Sequence, residues 1–208
     1  MKTLTVSLAI GGGLGIGGAG FLAYKHLYPP KQISDHLKEE KFVLLNHSEE
    51  HKAHWTTLLG EYNKQKTHKN NIFTDVGKDL KVEELQEACR KALGESVDNE
   101  EIYSKAKKWC VVPVTLSEHL SKHQFRSLST EDNNNSDQSI WEGKVTEHEK
   151  PDNSNRRIKD LSGVNQDKWK TIMSECKNIS NKKNYENEFN SYFEKYKDWC
   201  SIKDSPKK

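Results

Sequence analysis

Long apolar runs are almost missing from this chain, and so is any imbalance of charge. Only 33% of its 208 residues are hydrophobic, against 31% charged, well short of the roughly 45–50% apolar content of soluble domains. Any core is therefore small, a few helices deep. Lysine and arginine number 33 and the acids 31, a formal net charge of +2. Without a strongly basic face, nucleic acid is not an expected partner. Four cysteines are few for a disulfide scaffold. No C-x2-C pair is among them, so the usual structural zinc spacing is excluded. No P-loop, EF-hand loop or Ser-His-Asp signature occurs, and no cofactor is expected.

One apolar run exists. Thr3–Tyr24 is 22 residues without a charge, in a chain whose mean hydropathy is -0.95. At about 1.5 Å per residue it is long enough for the roughly 20-residue crossing of a bilayer core. Seven glycines lie between Gly11 and Gly20, and hydrocarbon tolerates them in a helix better than water does. Gly11/Gly15 and Gly13/Gly17 have G-x-x-x-G spacing, which lets two helices approach and predicts a homodimer face. Small residues are also simply common in anchors. Gly13-x-Gly15-x-x-Gly18 and Gly15-x-Gly17-x-x-Gly20 match the dinucleotide fingerprint too. That site needs a βαβ unit, and Pro29-Pro30 breaks the required crossover helix. A cleaved signal peptide fits less well than a retained anchor, because the run is long and Gly18-Ala19-Gly20 is a poor cleavage site. The short basic start favours a cytoplasmic N-terminus and an outward body.

The body reads as helical. Ile33/Leu37 share a face after a Ser34 cap candidate, and Trp55, Leu58, Leu59 and Tyr62 fall at i, i+3, i+4, i+7. Val82–Leu93 has a clear stripe and Gly94 as its stop. Asp98 is the expected cap of Asn99–Cys110, with Glu101 completing a capping-box-like start. Leu116–Phe125 adds a short helix. Arg126–Arg157 is rich in Asn, Ser and Asp, with Trp141, beside Ile140, its one Phe, Tyr or Trp. It is expected to be a flexible tether unless it docks back on the body. Trp169, Ile172, Met173 and Cys176 resume the helical period, and Tyr185–Cys200 carries an aromatic stripe. The predicted fold is thus mainly α: a single transmembrane helix, then a small bundle or hairpins with a disordered linker. Its divisions are an anchor and exit (1–31), a helical domain (32–125), the linker (126–158) and a C-terminal hairpin (159–208).

A weak echo runs through this body. Cys89 precedes Lys107-Lys108-Trp109-Cys110, and Cys176 precedes Lys197-Asp198-Trp199-Cys200. Spacings of 21 and 24 suggest one disulfide per hairpin, one of three connectivities open to four cysteines. In an ideal antiparallel pair the partners would stand roughly 10 Å out of level, beyond the roughly 7 Å limit of a bridge. Local pairing therefore needs a steep crossing or an unwound turn. Buried free thiols are the other reading.

With these elements assembled, the chain resembles the paralogous families of uncharacterised membrane-anchored proteins of hemotropic mycoplasmas. The resemblance rests on the Gly/Ala-rich anchor, on Ile33…Leu37 with Leu44-Leu45, on Trp55/Tyr62, and on the endings Lys107–Cys110 and Lys197–Cys200. It implies attachment to the lipid bilayer of a wall-less bacterium, with roles in surface variation or host contact, a host or membrane protein as partner, and no catalytic residues. An inward-facing scaffold that recruits partners through its hairpins is the alternative. A third reading is chemical. His47-Ser48-Glu49-Glu50-His51 matches H-x-x-E-H, whose two imidazoles on one helix hold zinc while the Glu acts as base, with His54 continuing the face. A solvated helical face is the plain alternative. His119-x3-His123 is a second i, i+4 pair without a carboxylate between.

Overall fold

The computed structural model describes residues 30–132, 135–164 and 166–204, so the predicted anchor and its packing glycines Gly11, Gly13, Gly15 and Gly17 lie outside the described residues. Within them the chain is mainly helical, with eight α-helices and one two-stranded sheet. The first four helices are α1 (Ile33–Glu39), α2 (Lys52–Lys64), α3 (Val82–Gly94) and α4 (Glu100–Trp109). The second four are α5 (Leu116–Ser121), α6 (Gln138–His148), α7 (Lys168–Ile179) and α8 (Phe189–Trp199). Strand β1 (Phe125–Ser127) precedes α6, and its antiparallel partner β2 (Ser201–Lys203) follows α8. No helix among the described residues is long and apolar enough to cross a membrane.

The two sets of four are copies of one unit. ISDHLKEEKFVLL at 33–45 aligns without gaps on LSEHLSKHQFRSL at 116–128, and the backbone repeats the match. Ile33 N–H donates to the Glu95 carbonyl, and Leu116 N–H to that of Lys182. Leu45 N–H donates to the Cys110 carbonyl as Leu128 N–H does to that of Cys200. Lys41 and Gln124, at equivalent positions, both take a left-handed conformation, with φ of 67° and 63°. That conformation is uncommon outside glycine. Gly77 and Gly163 also match, with φ of 90° and 82°. The buried tryptophans follow suit. Trp55 donates to the Asn46 carbonyl and Trp141 to that of Ser129, while Trp109 donates to Asn71 and Trp199 to Arg156.

This arrangement changes the expected organisation at several points. The stretch read as a tether carries β1, α6 and a fully buried Trp141, and it supplies the first half of the second unit. Asp137 fixes its start: buried itself, it accepts two hydrogen bonds from the Arg126 guanidinium and one from Ser129 N–H. The join between units falls near Val114–Thr115, where the sequence pattern shows no break. Asn99, not Asp98, caps α4 by accepting from Ile102 N–H, and α1 starts one residue before Ser34, with Gln32 at its cap.

Each unit closes on its own disulfide. Cys89–Cys110 and Cys176–Cys200 have Cα atoms 5.3 and 5.5 Å apart. The out-of-level problem is met by unwound connections. Between α3 and α4 the chain does not turn tightly: Glu95 is extended, and Val97 N–H donates to the Lys31 carbonyl. The second connection does the same, Asn184 N–H donating to the Val114 carbonyl. Buried residues of both units form one continuous cluster.

Candidate functional site

The zinc-like motif does not fold as one helix face. Ser48 caps a short 3-10 turn, Glu49–His51, and α2 begins only at Lys52. His47 therefore lies before the helix, facing a shallow groove shared with Glu49 and Lys52. His51 turns inward, and its Nδ1 accepts the Asn46 N–H at 3.0 Å. Its ring lies 6.0 Å from that of His54, and Glu50 is exposed. Among the described residues, no group of three or more His, Cys, Asp or Glu is placed to hold a metal ion. His51 instead closes a loop clasp together with Trp55, whose indole donates to the Asn46 carbonyl at 2.8 Å.

The four cysteines are all in disulfides, so none is a thiolate nucleophile. Beside each bridge a tryptophan meets a ring from the second helix of its unit, edge to face. Tyr62 packs on Trp109 at 5.2 Å and its counterpart His148 on Trp199 at 4.8 Å. Both second-helix side chains also hold backbone. The Tyr62 hydroxyl accepts Phe73 N–H, and His148 Nε2 accepts Ile158 N–H.

Polar groups are most concentrated at the seam between units. Asn184, buried, accepts Val114 N–H through Oδ1 and donates through Nδ2 to the carbonyls of Lys107 and Lys108. Beside it the Lys108 ammonium donates to amide oxygens of Asn71 at 3.0 Å and Asn187 at 2.8 Å. Half-buried and facing dipoles rather than a carboxylate, Lys108 is pushed down to about 8 by desolvation. Across the seam Phe42 stacks on His119 at 4.0 Å, and Phe193 meets that imidazole at a tilt, 5.1 Å between centroids. Burial, reinforced by the charges of His123, Lys107 and Lys122, pushes His119 down to about 3. The rings of His119 and His123 lie 4.9 Å apart between centroids, the first buried and the second half-buried. The arrangement joins two units through ring contacts and hydrogen bonds, one of them donated by the Lys108 ammonium, and it sets up no nucleophile–base pair.

Asn184 and His148 have no motif and escape sequence reading. The signal that finds them is the full-length repeat, which puts His148 where Tyr62 stands and Asn184 where Val97 stands. No protein-family model, no curated protein and no solved structure matches this chain.

Proposed function

We propose that this chain is a single-pass membrane-anchored, non-enzymatic surface protein, serving host contact or antigenic variation with its two-unit body held outside the cell. The observation that carries the reading is one disulfide per unit, since such bridges persist in oxidising surroundings and are rare in the cytosol. The uncharged N-terminal run and the family resemblance support it from the sequence side. Gly11/Gly15 and Gly13/Gly17 are the contact face we propose for an anchor dimer. Intact cells expressing the full chain are treated with protease, and separately with a membrane-impermeant maleimide before and after impermeant reductant. The expected result is loss of the body to protease and labelling of four thiols only after reduction. A protease-protected body whose thiols label only after lysis, without reductant, would overturn the placement and select the inward scaffold.

A further inference from the structure

The two units differ along the face where α3 and α4 of the first border an open groove of about 670 Å³. Its floor is apolar, made by Phe73, Ala88, Ala92 and Ile102, and Glu83 and Glu95 stand at its ends. In the second unit the same positions fill themselves. Ile158 stands where Phe73 does, its N–H bonded in the same way; the next residue, Lys159, forms an ion pair at 3.2 Å with Glu175, which replaces Ala88. Lys182 replaces Glu95, with its ammonium 4.9 Å from the ring of Tyr192, the counterpart of Ile102. Lys170 replaces Glu83 and lies over Trp169 at 5.5 Å. Where the second unit lays cations on its apolar surface, the first has an open floor bordered by four acids, with Lys91 its one lining cation and that paired to Glu87.

These acids are not spent within the unit. Glu84 is engaged by Lys78, and Glu87 by Arg90 and Lys91. Glu83 and Glu95 are exposed and pair with no cation among the described residues. Glu95 lies just beyond the C-terminal end of α3, where the helix dipole disfavours a negative charge and favours a lysine such as its counterpart provides. Twelve residues at about 1.5 Å rise put Glu83 and Glu95 roughly 18 Å apart along α3.

We infer that this groove docks an amphipathic basic helix of a protein partner, its apolar stripe on the floor and a lysine or arginine at each end on Glu83 and Glu95. The inference rests on the geometry of the first unit and holds on either side of the membrane. The test uses the oxidised full chain in nanodiscs and a fluorescent amphipathic peptide with lysines about 18 Å apart when helical. A control peptide has glutamates at those lysines. Fluorescence anisotropy should show saturable binding of the lysine peptide only, weakened about tenfold or more in the Glu83→Gln/Glu95→Gln variant and by added salt. Ala88→Lys, which puts a cation in the middle of the floor and leaves the packing of Phe73 on Tyr62 in place, should abolish binding. Absence of binding, equal binding of both peptides, or an affinity unmoved by Glu83→Gln/Glu95→Gln would overturn it. Self-association of the chain that is lost in the same variants would place a second copy in the groove, and would overturn the basic partner equally.

Discussion

Trp109 and Trp199 carry the largest single stakes in the body, because each is buried, donates an indole N–H to a loop carbonyl and packs edge-on to a second ring. Replacing either by Ala should cost about 3–5 kcal/mol, read from urea midpoints. Replacing Trp109 by Phe keeps most of the ring but orphans the Asn71 carbonyl, for a smaller loss of about 1–3 kcal/mol. His119 makes stability depend on pH. Its folded value lies far below that of the unfolded chain, so between about 6.5 and 3 the unfolded state binds a proton that the native state refuses. Stability is thus fully present above about pH 6.5 and lost as pH falls, at up to roughly 1.4 kcal/mol per unit. His148, lowered by the same desolvation, adds to the loss in the same direction. His119→Phe, filling the slot between Phe42 and Phe193, should flatten this acid limb in urea titrations. A limb as steep as that of the parent would mean that His119 protonates without leaving its site. Both tryptophans were legible as core from their helical spacing. His119 was not, because an i, i+4 histidine pair looks the same from the sequence whether it faces water or a phenylalanine.

At the scale of elements, α6 shows why the repeat was only half visible. Its counterpart α2 has a plain apolar stripe, Trp55, Leu58, Leu59 and Tyr62. The aligned residues of α6 are Trp141, Lys144, Val145 and His148. Two of the four apolar positions have become polar, so the 3.6-residue period fades although the helix still buries its face. Lys144 is half-buried and donates a hydrogen bond to the Asp198 carbonyl, and His148 does the work of a tyrosine. Composition alone then points to a tether, and the polar residues around it reinforce that reading. Limited proteolysis tests the difference. Arg126, Lys144 and Arg157 should resist trypsin until the body unfolds, and Trp141→Ala should expose them together. Asp137→Asn, which weakens three hydrogen bonds at the start of the segment, should cost about 1–3 kcal/mol. Rapid cleavage in the folded parent would return the segment to a tether.

For the molecule as a whole, the question is whether two copies behave as one folding unit. Each disulfide closes a loop of 21 or 24 residues, and reducing it should remove about 3 kcal/mol by the chain-entropy account. The hairpin echo was readable because Trp-Cys is rare enough to notice twice. The rest of the duplication was hidden by substitutions on its polar faces, which drift freely while the backbone bridges they surround do not. At the centre of the joint between the copies is one amide. Asn184 ties the backbone of Val114, at the end of the first unit, to the carbonyls that terminate α4. Phe42 on His119 and Tyr185 near Trp109 complete the joint. A leucine at Asn184 fills the space but leaves the buried Val114 N–H and the half-buried Lys107 and Lys108 carbonyls without this partner, at about 1–3 kcal/mol for the buried group. Calorimetry of the parent should show one transition, because a shared core makes either unit unstable without the other. Asn184→Leu should split it in two, with reduction of Cys176–Cys200 then lowering only one. If the parent already melts in two steps, the units are independent beads on one anchor, and the seam contributes contact without cooperativity.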